Sequence, residues 1–426
     1  MLRRLSLLGF LFLVLPAFAA GPRRRAIAHP APPLTRERVT ELSVKIAERV
    51  VIPPFEPRLH WENVPYLDGT LLVAEQMERR SPGSGAALIE RVAAVILGSG
   101  DNVNSIYWGD GTAFSQVVMD LYRLTPEGDP RRDALLGTLG GSMAFAEHAV
   151  RVSPDFGSPR EPWWVEGGFG TRYWQDDMYM VIPWLAMNGS TRDGLPGNTR
   201  ARDLAYEWIE SYVYDHRPAS SDPRQRAVPA ARERNGFLLW DPDHSLFQHA
   251  PETIGSDEFW GRGNGWAVMG LARAAKYLDS PYGGGRYAAV VDATQIRTML
   301  VRVAETLVEK RTPDGGWPSN LSKPLDCPIA ETSATGLVTA FLAQGVNEGW
   351  LDRETYVPVI LRAFSLLLNR IDRDGVVSGI QPPGTGPAFC SAQMLASNHP
   401  TINVNYGVGA VLLAAARILE LPDEVF

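Results

Sequence analysis

Cysteine is almost missing from this chain: its 426 residues hold two, Cys327 and Cys390. In an oxidising compartment they can pair, but sequence alone does not show that their geometry allows it. No Cys/His cluster has metal-ligand spacing, so no metal site is expected. Positive charge is short as well. The formal net charge is −7, which argues against a nucleic-acid partner and still leaves room for an anionic ligand held by a local Arg or His. Long apolar runs are confined to the start. Arg3 and Arg4, the mostly apolar stretch Leu5 to Phe18, and the small residues of Ala17-Phe18-Ala19-Ala20 have the order of a secretory signal over residues 1–20. That run is short for a spanning helix, and no later run replaces it. The expectation is a protein exported to the periplasm or beyond, with no membrane partner once the signal is removed. Residues 21–33, rich in Arg, Pro and Ala, read as a flexible lead-in. Period-two alternation is scarce, which excludes a substantial sheet.

What fills the chain instead is helical periodicity. Apolar residues recur with helical spacing over roughly 35–51, 66–80, 85–97, 111–124, 131–150, 174–188, 199–214, 263–278, 288–310, 331–346, 354–370 and 405–420. In 288–310, Val291, Ile296, Met299, Leu300, Val303 and Leu307 share a face, while Arg297, Arg302, Glu309 and Lys310 lie off it. Pro183 falls inside the sixth stretch and predicts a kink. Twelve helices make six hairpins, which can stack as an open solenoid or close into a ring. The fixed period of solenoid families is not present. Long Gly/Pro/aromatic connections lie at 98–110, 151–173, 215–262, 311–330 and 371–404. They recur about every second helix, as they would if all gathered at one end of a ring, and long loops in a compact domain are usually functional. The expected architecture is an all-α closed double ring, one domain over 34–426, with a pocket at one mouth.

Chemistry concentrates in one stretch and in those loops. Tyr173-Trp174-Gln175-Asp176-Asp177-Met178-Tyr179-Met180 runs on into Val181-Ile182-Pro183-Trp184-Leu185, and Met178, Val181, Ile182 and Leu185 keep a helix face. Asp176 and Asp177 therefore sit in the first turn of a helix. They point about 100° apart, so only one can face a given cleft. A carboxyl group among aromatic rings is desolvated, which suits a general acid. The alternative is that one Asp caps the helix and the other favours its dipole. The loops supply Tyr107, Asp110 ahead of a helix, His249, Trp260, Arg262 and, just beyond, Trp266. Trp and Tyr faces stack on sugar rings while carboxylates and amides bond the hydroxyls. Twelve Trp, mostly at loop–helix junctions, thus fit a carbohydrate cleft. Each residue also has a plainer use. A Trp can plug the core, Asp110 can be an N-cap, His249 a surface histidine, and Arg262 the partner of any acid. Asp314-Gly315-Gly316 reads as a turn, and Glu331-Thr332-Ser333 as a capping segment.

Four elements together resemble the unsaturated uronyl hydrolases, most nearly the unsaturated rhamnogalacturonyl hydrolases (glycoside hydrolase family 105, with family 88 as relatives). They are the Trp-x-Asp-Asp-x-aromatic-Met helix start at 174–180, Trp-Gly-Arg-Gly-Asn-Gly-Trp at 260–266, Glu-Thr-Ser-Ala-Thr-Gly at 331–336, and Tyr-Gly-Val-Gly-Ala-Val-Leu-Leu-Ala at 406–414. They occur in family order across nearly the whole chain after residue 33. The resemblance implies an (α/α)6 barrel of six helical hairpins. It implies that Asp176 is the catalytic acid/base and Asp110 a second active-site carboxylate. It implies that Trp174, Trp260 and Arg262 line the sugar site with His249; Trp266 and Tyr107 complete the expected substrate-binding set. The context of Asp110 and the loop around His249 both depart from the commonest family pattern. The implied substrate is an oligosaccharide ending in a 4,5-unsaturated uronic acid, and no cofactor is needed.

Rival activities fit some of these residues. An inverting glycosidase would use Asp176 and Asp110 about 6.5–9.5 Å apart, with water between them, on saturated oligosaccharides. A non-catalytic exported sugar-binding protein would need the aromatic cleft alone. A polysaccharide lyase would want a base and an acid such as Tyr or His, and would create double bonds rather than consume them.

Overall fold

A helix that is apolar on every side must be covered on every side. Thr332 to Gly345 is buried without a break, and so is Tyr406 to Leu419. Such helices belong inside a second layer of helices. The computed structural model of the chain describes residues 34–49, 61–99, 109–152, 174–213, 239–250, 257–278, 292–384, 386–387 and 404–426. Its helices are α1 (Arg36–Arg49), α2 (Val64–Arg80), α3 (Ala86–Gly98), α4 (Gly109–Thr112), α5 (Phe114–Leu124), α6 (Arg131–Gly137), α7 (Gly140–Val152), α8 (Asp177–Met180), α9 (Ile182–Gly189), α10 (Thr199–Val213), α11 (Gly261–Tyr277), α12 (Ala293–Glu309), α13 (Thr332–Asn347), α14 (Arg353–Leu368) and α15 (Asn405–Leu419). Sheet is limited, among the described residues, to a two-stranded hairpin. In it β1 (Trp240–Asp241) pairs antiparallel with β2 (Leu246–Phe247), and Trp240 faces Phe247.

The inner helices close a ring. α2 packs on α5, α5 on α9, α8 and α9 on α11, α11 on α13, α13 on α15, and α15 back on α2. Outside them α1 lies on α2 and α15, α3 on α2 and α5, α10 on α7 and α9, α12 on α11, and α14 on α13 and α15. This is the double ring of six hairpins. Outer helices are apolar on one face only. In α12 the buried set is Ile296, Met299, Leu300, Val303, Ala304 and Leu307. Each Ile, Leu, Val or Met so buried contributes about 1.5–3 kcal/mol. Residues 34–426 gather into one unit. The expected signal and lead-in, residues 1–33, lie outside the described residues.

Local chemistry sets where helices begin and break. The periodic pattern suggested a start near 288 for α12, but the helix begins after Asp292. The Asp292 carboxylate accepts from Gln295 N, and the Gln295 side chain returns the bond, forming a capping box. The single helix expected over 131–150 is two, α6 and α7. Gly137 and Gly140 flank the break, where glycine's backbone entropy weakens a helix. Pro183 does more than kink its stretch. It has no N–H to give the carbonyl four residues back, which is Tyr179, and the helix divides at Val181 (φ −114, ψ −50). Gln116 Nε2 takes over that carbonyl. Cys327 is disulfide-bonded; Cys390 lies outside the described residues.

Candidate active site

The two adjacent aspartates part company at the head of α8. Asp177 is 4% exposed. Its Oδ2 accepts from Trp174 N at 3.2 Å and from the Tyr212 hydroxyl of α10 at 2.9 Å. It thus serves the helix end and a packing partner. Asp176 occupies the N-cap position, yet its side chain makes no capping bond. Its Oδ2 is buried and accepts no hydrogen bond among the described residues. His249 Nε2 stands 3.6 Å away. A buried carboxylate oxygen left without a donor is costly to maintain, and neither capping nor packing accounts for it.

His249 is brought there by the hairpin. Asn264, on the first turn of α11, accepts from Phe247 N at 2.8 Å and donates to Phe247 O and Trp260 O, both at 3.0 Å. One amide therefore joins β2 to the head of α11. Two residues past β2, the His249 carbonyl accepts from Gln175 N at 3.0 Å, which fixes the histidine beside Asp176. Gly263 is glycine for want of space: a Cβ there would lie 1.7 Å from Gln175 Nε2. The rings then line up around the mouth. Trp174 stacks on His249 with centroids 6.3 Å apart, and Trp260 meets His249 edge-on at 4.9 Å.

Arg262 takes a different place from the one expected. It is 1% exposed, lying behind Trp260 rather than in front of it. Its guanidinium is 4.6 Å from the Trp260 ring and 4.9 Å from the Tyr406 ring. Nη1 and Nη2 donate to the carbonyls of Gln381 (2.7 Å) and Pro382 (3.0 Å). A guanidinium committed to two carbonyls and two π faces fastens the aromatic wall; it does not reach out for a sugar carboxylate. The Gln381 side chain accepts from Trp260 Nε1 at 2.9 Å, and Gln381 N donates to Glu331 at 2.8 Å. Glu331 caps α13 through Ser333 N and Ala334 N, as its place in the sequence suggested. Burial pushes the Tyr406 phenol above its usual range against the pull of Arg262. Trp266 is corrected as well. It is fully buried and its ring packs 4.8 Å from Tyr179. Six residues into α11 it is over a turn below the mouth and belongs to the core.

The structure brings together Asp176, His249, Trp174 and Trp260, with Arg262 behind. Tyr107 lies outside the described residues, as does the side chain of Asp110. The backbone of Asp110 is in α4, which packs on α8. Two residues on, the Thr112 hydroxyl donates to Met180 O at 3.2 Å.

The profile of Glycosyl Hydrolase Family 88 matches residues 36–421. The chain belongs to that family.

Family 88 membership agrees with the motifs and the double ring. An unsaturated 3S-rhamnoglycuronyl hydrolase of Formosa agariphila is 32% identical over 165 residues, 39% of this chain and 40% of that protein. The unsaturated rhamnogalacturonyl hydrolase YesR of Bacillus subtilis is 23% identical over 147 residues, 34% of this chain and 38% of that protein. The chain is thus matched to about two fifths of these curated relatives' length. A family 88 structure from Bacteroides vulgatus superposes with TM-score 0.62 at 21% identity, covering 91% of this chain and 99% of that one. A polysaccharide lyase superposes with TM-score 0.64 at 20% identity, covering 90% and 97%. These likenesses show the fold, and the choice of reaction rests on the site. Sequence reasoning passed over Gln175, Asn264 and Gln381. The first two lay inside the quoted motifs. Their amide-to-backbone bonds join segments far apart in sequence, which no spacing rule displays.

Proposed function

We propose that this family 88 protein, exported from the cell, removes a 4,5-unsaturated uronic acid from the non-reducing end of oligosaccharides left by polysaccharide lyases, rhamnogalacturonan- or pectin-type chains foremost. The observation that carries the proposal is Asp176: its Oδ2 is buried and accepts no hydrogen bond among the described residues, its side chain caps nothing, and it stands beside His249, whose ring packs against Trp174 and Trp260. The names of the curated relatives support it. The order of residues 1–20 supports export.

The chemistry needs one well-placed acid/base. The C4=C5 bond of the terminal sugar is part of a vinyl ether with the ring oxygen. Asp176 gives its proton to C4, and positive charge develops over C5 and the ring oxygen. The Asp176 carboxylate then takes a proton from the water that adds to C5. The hemiketal so formed opens to a ketone at C5, and C1 loses the remaining oligosaccharide as an alcohol. One water is consumed and Asp176 ends protonated, as it began. Asp110 is assigned to stabilising the positive charge, and Trp174 and Trp260 to holding the sugar rings.

The test uses unsaturated disaccharides from rhamnogalacturonan and rhamnoglycuronan digests in heavy water. The double-bond absorbance should fall, and the product should carry deuterium at C4. An inverting glycosidase acting at C1 leaves C4 unlabelled and the double bond intact; a lyase raises the absorbance of the uncut polymer. Either outcome overturns the proposal.

A further inference from the structure

We infer that Tyr179, held by the buried carboxyl group of Asp68, is a positioning residue that sets the catalytic carboxyl of Asp176. This rests on the role proposed for Asp176.

α8 is a single turn. Two backbone bonds return to the Asp176 carbonyl, from Tyr179 N at 2.9 Å and Met180 N at 3.0 Å. One turn cannot hold itself, because too few bonds offset the fixed dihedrals. What fixes this turn comes from other helices, and Tyr179 receives most of it. Its hydroxyl donates to Asp68 Oδ2 of α2 at 2.9 Å. Its carbonyl, freed by Pro183, accepts from Gln116 Nε2 of α5. Its ring lies on Trp266 of α11.

Asp68 is itself anchored. Arg273 of α11 reaches it at 2.5 Å, donates to Gln116 Oε1 at 3.1 Å, and pairs with Asp120 of α5. The Asp68, Asp120 and Arg273 side chains are at most 1% exposed. Asp68 also lies against the Asp120 carboxyl, and Arg273 Nε is buried without a hydrogen-bond partner among the described residues. A buried charged cluster in a barrel core is a poor way to gain stability, since apolar residues of the same volume commonly do as well or better. Orientation accounts for it. The cluster ties α2, α5 and α11 to Tyr179, one of the two residues whose amides hold the Asp176 carbonyl.

The experiment compares Tyr179→Phe, Asp68→Leu and Asp68→Asn with the parent. Each is assayed well below its melting temperature, and each is crystallised. Tyr179→Phe and Asp68→Leu remove the bond, and both should lower kcat about tenfold with KM within about twofold, inside the hundredfold that a 1 Å misplacement can cost. In both crystals the Asp176 carboxyl should have moved relative to His249. Asp68→Asn keeps an acceptor for the phenol and should restore both kcat and position. An unmoved carboxyl in the first two variants overturns the inference whatever the rates, and so does an unchanged kcat in an active enzyme. Whichever of the two folds decides the matter. If the parent leaves unsaturated sugars intact, the proposed reaction fails, and carboxyl position alone still tests Tyr179.

Discussion

Adjacent residues of one type can do unrelated work, and hydrogen bonding shows which does what. Asp177 Oδ2 already holds Trp174 N and the Tyr212 hydroxyl, while Asp176 Oδ2 holds nothing among the described residues. The two substitutions to Asn should therefore separate. Asp176→Asn keeps shape but has no proton to give, so turnover should fall roughly 10²–10⁴-fold, with disaccharide affinity and melting temperature near parental. Asp177→Asn weakens a charge-assisted pair of bonds and should cost about 1–3 kcal/mol of stability with a smaller effect on turnover. Urea unfolding and steady-state kinetics on both variants check this. Equal losses of turnover at unchanged stability would mean that the helix phase has been misassigned.

At the scale of elements, α8 is placed by what α11 leaves out. A Cβ on Gly270 would lie 2.0 Å from Met178 O and 2.7 Å from Tyr179 Cα, both backbone atoms. Backbone cannot swing aside as a side-chain tip can. Gly270→Ala should thus force the helices apart, costing about 1–3 kcal/mol as overpacking does, and lower turnover through the shifted α8. Calorimetry and kinetics measure both; a variant with parental stability would show that the crossing is looser than this. The helices themselves were legible because an apolar face repeats within each one. That Asp176, Trp174 and Trp260 would lie near one another was legible too, because they stand in short motifs at helix heads; His249 is what the structure sets between the two rings. Trp266 and Arg262 were misplaced for a common reason: the same motif holds residues at the mouth, behind the wall and below it. Its text does not say how far α11 has descended by residue 266, nor that the carbonyls of Gln381 and Pro382 would claim the guanidinium.

For the molecule as a whole, the buried cluster makes stability depend on pH in a definite direction. Asp68 faces Arg273, Asp120 and the Tyr179 phenol, with Arg123 and Glu75 beyond Asp120. Burial pushes the Asp68 carboxyl up to about 7; Arg273 pulls the other way, and Asp120 adds to the rise. Burial opposes ionisation of Asp120 too, but Arg273 and Arg123 hold that carboxyl well below its usual range. Between about pH 4 and 7 the folded chain keeps a proton on Asp68 that the unfolded chain has lost. The group's contribution is present in full below that window, declines as pH rises through it, and is gone above the folded value. Asp68→Asn cannot titrate and removes this dependence. The free energy of unfolding of the parent minus that of Asp68→Asn, measured in urea, should fall by up to ~1.4 kcal/mol per pH unit across the window and level off above it. A difference that stays flat, or rises with pH, would show that Asp68 is ionised in the folded barrel throughout, its charge carried by Arg273 alone.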